Sequence, residues 1–242
     1  MRFAILADIH ANLAALRAVL KDMAEQGCTH AVCLGDIVGY YFEPKECLDI
    51  IRGRQFPCVK GNHDEYCDPG IPLEGFNPRA AAFVEWTRQQ LTQEDFVWLR
   101  NLKYFERVAD FTIVHATLER PESWGYVFDR VAAAAHFPHQ TTPVCFFGHT
   151  HVPVAFVRDT VVRGGVYSKF KVERERQYFI NPGSVGQSRD GNPKAAYAIY
   201  DLEGQTIELR RVAFEAPPGK LGSAPAPTTP NPTKPIPDTD GF

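Results

Sequence analysis

The chain lacks a charge excess of either sign: 26 Lys and Arg against 29 Asp and Glu leave a formal net charge of −3 over 242 residues. No overall basic field is available to neutralise a run of phosphates, so nucleic acid is not the expected partner. Uncharged apolar stretches of 18 or more residues are also missing, which excludes a membrane-spanning helix. The first apolar run, Phe3 to Ala7, is interrupted by Asp8 and His10 and is too short for a signal-peptide core. A cytoplasmic location with no membrane partner is the resulting expectation. There is no Cys-x-x-Cys pair, and the six cysteines (Cys28, Cys33, Cys47, Cys58, Cys67, Cys145) read as reduced, mostly buried small residues. No internal repeat is found.

What is present is a globular body. Hydrophobic residues make up 44% and aromatic residues 12% of the chain, enough to bury a sizeable core. Composition changes abruptly at Ala216: eight of the 19 prolines fall in the last 27 residues. Residues 1–215 are therefore expected to form the domain, and 216–242 a proline-rich disordered tail that adds no core.

Within the body, short apolar runs alternate with helical periodicity. Phe3 to Ala7 reads as a strand, and Leu13, Leu16, Leu20 and Met23 fall at helical spacing closed by Gly27. Ala31 to Leu34 reads as a second strand, Pro44 to Ile51 as a helix and Cys58 to Lys60 as a further short run. Asn77-Pro78 opens a helix through Ala80 to Leu91, and Thr92 with Asp95 makes a capping box for another. Phe105 to Val108, Phe111 to Val114 and Val144 to Phe147 then read as strands, while Val152 to Val162 and Ala196 to Val212 read as hairpins, the latter turning at Glu203-Gly204. The class is α/β.

The apolar runs share one feature: each ends in a polar residue able to bind metal. Asp8 and His10 follow the first, Gly35-Asp36 the second, Gly61-Asn62-His63-Asp64 the third, His115 the fourth, and Gly148-His149-Thr150-His151 the fifth. One such residue is ordinarily a turn former. Five together imply a site at the carboxyl edge of a sheet. The possible ligands are two aspartates, one asparagine and four histidines, with His63 in addition. Oxygen and imidazole donors without thiolates suit Mn²⁺, Fe or Zn²⁺, and seven are too many for one tetrahedral ion but suffice for two ions sharing a carboxylate.

Asp8-Ile9-His10, Gly35-Asp36, Gly61-Asn62-His63-Asp64, His115 and Gly148-His149-Thr150-His151 together resemble the motif set of the calcineurin-like metallophosphoesterases. Asn181-Pro182-Gly183-Ser184-Val185-Gly186 extends the resemblance to the bacterial and archaeal small-phosphodiesterase branch. The resemblance implies two mixed β-sheets packed as a sandwich flanked by helices, with 65–103 as a helical insertion or cap region outside it. It implies one metal on Asp8, His10 and His151, another on Asn62, His115 and His149, and Asp36 between them. Two divalent transition metal ions are expected, Mn²⁺ first and Fe, Zn²⁺ or Ni²⁺ as alternatives. Two such ions bring +4 and the two aspartates return −2, so a small phosphate ester would bind as counter-anion. A bridging hydroxide, its parent water lowered to a pKa of about 7, would attack phosphorus in line.

By the same resemblance His63 is the catalytic residue that protonates or stabilises the leaving oxygen. The protein phosphatases of the family orient this histidine with an aspartate three residues after the bridging one, but position 39 is Gly39, which leaves Asp64 as a candidate partner. His30, His136 and His139 read as structural or surface residues, and Asn12 as a helix cap. Arg189 reads as solvent-facing before it reads as a phosphate contact, and Tyr40, Tyr41 and Phe42 as core before they read as a stacking surface. The expected activity is metal-dependent hydrolysis of a small phosphodiester or phosphomonoester. A nuclease and a non-catalytic binding scaffold of the same fold are the alternatives.

Overall fold

The computed structural model describes residues 1–74 and 78–215, with backbone only at Arg79. Asn77 and the segment 216–242 lie outside the described residues. In chain order the elements are β1 (Arg2–Leu6), α1 (Leu13–Glu25), β2 (His30–Cys33), α2 (Pro44–Gly53), α3 (Asn62–Tyr66), α4 (Pro78–Gln90), α5 (Gln93–Arg100), β3 (Phe105–Val108) and β4 (Phe111–Val114). They continue as α6 (Arg130–Ala134), β5 (Val144–Phe146), β6 (Val154–Arg158), β7 (Val162–Gly165), β8 (Lys169–Lys171), β9 (Gln177–Asn181), β10 (Ala195–Asp201) and β11 (Thr206–Val212).

The strands form two mixed sheets, ordered β2-β1-β10-β11-β8 and β3-β4-β5-β9-β6-β7. Parallel pairs sit at the centre of the site-bearing region: β1 with β2, β4 with β5 and β5 with β9. Parallel neighbours point their carboxyl ends the same way, which is why the residues following β1, β2, β4 and β5 converge.

Side-chain alternation assigns each strand face a partner layer. Phe3, Ile5 and Ala7 pack between the sheets with Val32, Leu34, Phe111, Ile113, Val144 and Phe146. Ala4 and Leu6 face the other way, onto Leu16 and Val19 of α1 and Leu48 and Ile51 of α2. The second sheet is covered on its outer face by Ala133 of α6 and by Phe137, packed against Cys145, Phe147 and Phe179. Aromatic edges close the seam between the sheets: Phe3 meets Phe111 at 5.1 Å between ring centroids, and Phe111 meets Tyr200 at 5.7 Å. Ile5 is fully buried there, and truncating such a residue to Ala typically costs about 2 to 5 kcal/mol.

Local signals act where expected. Asn12 caps α1 by accepting from the Ala15 N–H at 3.1 Å, and Thr92 and Asp95 form the reciprocal box that starts α5. Pro44 sits in the first turn of α2. The differences are local too. Cys58 to Lys60 is no full strand; it makes single parallel bridges, Cys33 to Cys58 and Val59 to Lys103, because the chain turns into α3 at Asn62. The first late hairpin runs over β6 and β7 and ends at Gly165. Strand β8 alternates over only three residues and β9 has no clear alternation, so both owe their state to the neighbours they pair with. All six cysteines are free thiols. Among the described residues no helix is long and apolar enough to cross a membrane.

Candidate metal centre

The loops that leave the strands are stitched together before any side chain is considered. The Asp8 N–H donates to Gly35 O, His10 N–H to Asp36 O and Ala11 N–H to Ile37 O, continuing the β1–β2 ladder past its end. Gly148 N–H donates to His115 O, and Gly186 N–H to Asp8 O, which brings in the remaining loops. Asp8, His10, Asp36, His149 and His151 all have positive φ. Non-glycine residues adopt this region at a cost, and concentration of it in one place is characteristic of functional sites.

Two groups of side chains result, Asp8, His10, Asp36 and His151 in one and Asp36, His115 and His149 in the other, each with its candidate donor atoms within 4.8 Å. Asn62 joins the second, its Oδ1 being 3.2 Å from His115 Nε2. Asp36 belongs to both: its Oδ2 lies 3.5 Å from His10 Nε2 and 3.4 Å from His115 Nε2. Its Oδ1 accepts the His63 N–H at 2.9 Å. Gly61 has to be glycine here, since a Cβ at that position would run into Asp36.

Backbone carbonyls fix the imidazoles. Nδ1 of His10 faces Val38 O at 3.2 Å, His115 Nδ1 faces Leu34 O at 2.7 Å and His151 Nδ1 faces Gln187 O at 2.6 Å. His149 bonds the backbone of Trp124. A ring nitrogen that donates to a carbonyl leaves the other as a lone pair, the arrangement typical of metal-ligating histidines. Nε2 of His10 and of His151 then confront each other at 3.0 Å, and Nε2 of His149 is buried without any hydrogen-bond partner. Converging lone pairs of this kind repel unless a cation lies between them, so the donor set fits a metal.

Three of the four imidazoles are driven toward the neutral form that a ligand requires, and His115 is the exception. Burial depresses His10 and His151 well below the usual histidine range and takes His149 to about 3. Burial acts on His115 in the same sense, but the Asp36 carboxylate outweighs it and lifts His115 to about 9. Asp36 is the reciprocal case: burial would raise it, yet His115, His63 and His10 hold it well below the ordinary carboxylate range. Burial carries Asp8 up to about 7 against the pull of His115.

The His63 ring stands outside both groups, 4.8 Å from His10 and 4.5 Å from Tyr40 between centroids. Gly39 lies against it so closely that a Cβ would strike Nδ1. Asp64 is not the orienting partner of His63. Its Oδ2 accepts from the N–H groups of Asp36 (2.8 Å) and Gly61 (3.0 Å), and its Oδ1 from Ile37 (2.9 Å). A buried carboxylate thus ties the Asp36 loop to the Asn62 loop, a role for which its place three residues after Gly61 was the available signal.

Other residues support the site in ways that the Asn181 to Gly186 motif and the cap at Asn12 did not specify. Asn181 Nδ2 donates to Gly148 O at 2.6 Å, Ser184 Oγ to Asp8 O at 2.7 Å and Asn12 Nδ2 to Gly186 O at 2.9 Å. Tyr126 stacks on His149 at 4.1 Å, and the Trp124 ring meets His115 edgewise at 5.7 Å. Tyr40 is half-buried at the site rather than part of the core, while Phe42 packs on Trp86. His30 and His139 are exposed, and His136 is buried against Phe179.

Two mixed sheets whose strand ends gather overlapping histidine and aspartate groups define the metallophosphoesterase class. The chain belongs to the calcineurin-like phosphoesterase superfamily, whose domain profile matches residues 1–205. It is 36% identical over 220 residues to an uncharacterized protein of Methanocaldococcus jannaschii, covering 88% of this chain and 87% of that one. A metallophosphoesterase of Sphaerobacter thermophilus has a similar structure, with TM-score 0.78, 38% identity and 89% of each chain covered. A hypothetical protein of Pyrococcus horikoshii shares the fold at TM-score 0.71 and 19% identity, with 88% of each chain covered.

Proposed function

We propose that the protein hydrolyses a small phosphodiester or phosphomonoester in the cytoplasm with two divalent transition metal ions, Mn²⁺ foremost. Asp8, His10 and His151 hold one ion, Asn62, His115 and His149 the other, and Asp36 serves both. The observation that carries this reading is the single Asp36 oxygen facing His10 on one side and His115 on the other. Such ions supply Lewis acidity toward a phosphoryl oxygen and an activated water nucleophile at neutral pH.

The chain's own residues supply the rest. Asp8 and Asp36 neutralise part of the metal charge and leave the centre attractive to a phosphate anion. The carbonyls of Val38, Leu34, Gln187 and Trp124 hold the imidazoles in the ligating tautomer, so little reorganisation is needed when a substrate arrives. His63 adjoins Asn62 yet is surplus to the seven ligands, a position that supports a role as proton donor to the departing oxygen.

Metal-stripped protein given back Mn²⁺ and assayed on bis-nitrophenyl phosphate and nitrophenyl phosphate tests the reading. Hydrolysis restored by metal supports it; metal-loaded protein inert on both esters refutes it. In the same assay His63→Ala keeps two ions per chain and slows alkyl esters by about 10²- to 10⁴-fold, the usual contribution of a general acid. Nitrophenyl esters, whose leaving group needs no proton, are slowed less. Loss of an ion in this variant would make His63 a ligand instead.

A further inference from the structure

Arg189 has an unusual setting for an exposed arginine. No carboxylate among the described residues lies within ion-pair distance of it, whereas its neighbour Asp190 pairs with Arg211. Its guanidinium is held instead by neutral oxygens, Tyr40 Oη and Gln187 Oε1, both at 3.3 Å, and lies 5.9 Å from the centre of the Tyr40 ring. Tyr126 faces the same guanidinium. The Tyr40 ring in turn touches His10 and His63. A cation without a carboxylate partner among the described residues is therefore fixed at the rim of the centre, and a guanidinium so placed matches the fork geometry of a phosphate.

A second feature adjoins it. From His149 the rings climb outward: Tyr126 stacks on His149, and Phe128 lies parallel to Tyr126 at 5.4 Å with only 5° between planes. Phe128 is nonetheless 63% exposed. A large aromatic side chain held flat beside a polar centre and left open to water offers a stacking surface for another planar ring.

We propose that Arg189, Tyr40, Tyr126 and Phe128 form a recognition subsite for the part of the substrate beyond the scissile phosphorus, with Arg189 holding a phosphoryl oxygen and Phe128 stacking a planar base. The substrate class is then a nucleotide-like phosphate ester rather than a simple alkyl or sugar phosphate. The proposal rests on the phosphoesterase reading and narrows it.

Binding separates the two. The protein is reconstituted with Mn²⁺, desalted and titrated by calorimetry with α,β-methylene adenosine diphosphate, methylenediphosphonate and adenosine. The wild type should bind the adenine-bearing phosphonate about five- to tenfold more tightly than methylenediphosphonate, the scale expected of one exposed stacking contact. Phe128→Ala, or Phe128→Leu should the first variant not fold, removes that advantage. Arg189→Gln weakens both phosphonates by about tenfold, as loss of a charged hydrogen bond predicts, and leaves adenosine unaffected. Equal affinity of the wild type for the two phosphonates overturns the proposal, as does an equal loss for both in Phe128→Ala or no loss in Arg189→Gln. Failure of the phosphoesterase reading shows separately, as absence of nitrophenyl ester hydrolysis by the same metal-loaded sample.

Discussion

The two halves of the centre are built from the same chemistry but not to the same degree of enclosure. The half formed by Asp8, His10, Asp36 and His151 has two carboxylates, and all four residues are buried. The half formed by Asp36, Asn62, His115 and His149 has one carboxylate, which it shares, and a neutral amide that is half-exposed. The first should hold its ion more firmly, because more negative charge acts at lower effective dielectric. The second lies beside the Tyr126 and Phe128 rings, with Tyr126 stacked on His149.

The most severe way to break the comparison is Asp36→Ala, which abolishes the shared carboxylate. Both ions should be lost and turnover should fall by about 10³-fold or more, the equivalent of several kcal/mol of charge stabilisation. Elemental analysis and steady-state assay decide it; two equivalents of metal with unchanged turnover would remove the basis for joining the halves through Asp36.

Asp64→Ala attacks the link between the halves rather than a ligand. It strips the acceptor from four buried N–H groups, those of Asp36, Ile37 and Gly61 and, at the longer distance of 3.4 Å, Val38, and each orphaned buried donor costs about 1 to 3 kcal/mol. Denaturant unfolding should show a loss of roughly 3 kcal/mol or more, with metal affinity weakened at both halves. A loss confined to one half would mean that the loops are independent.

Paired single-ligand variants sharpen the asymmetry. His149→Ala and His151→Ala should each retain about one ion per chain. The ion left in His149→Ala should resist chelator the longer, because it sits in the two-carboxylate half. Stepwise chelator titration with metal analysis reads this directly, and the reverse order would contradict the charge argument.

The smallest effect concerns the anchoring of α3, which carries Asn62. Beyond its end Asp68 accepts two hydrogen bonds from Arg100 of α5, at 2.6 and 2.8 Å, and this pairing lowers Asp68 from 3.8 to about 2. A carboxyl depressed in the folded state contributes stability above its unfolded pKa and loses it as pH falls through the folded one. Asp68→Asn should therefore be slightly less stable than the wild type at pH 7. The gap should close between about pH 4 and pH 2 in thermal melts, following the shift of Asp68. A gap that persists below pH 2 would show that the carboxyl contributes by shape rather than by charge.

How much of this was legible in the chain follows from range of interaction. Strand β1, helix α1 and the capping box at Thr92 depend on periodicity and on contacts a few residues apart, so the sequence alone determined them. That Asp8, His10, Asp36, Asn62, His115, His149 and His151 would gather was legible as well, because each follows a short apolar run and such run ends meet at one edge of the sheets. The fold itself, two sheets rather than one, was anticipated through family resemblance and the late hairpins. Tertiary structure alone decided the rest. Asp64 serves backbone N–H groups nearly thirty residues away, and β8 and β9 are strands because of what they pair with. Arg189 meets Tyr40 across 149 positions of chain. No local pattern encodes such contacts; they exist only once the hydrophobic layers have packed and carried the loops together, which is why the candidate donors could be read in the sequence and the rim around them could not.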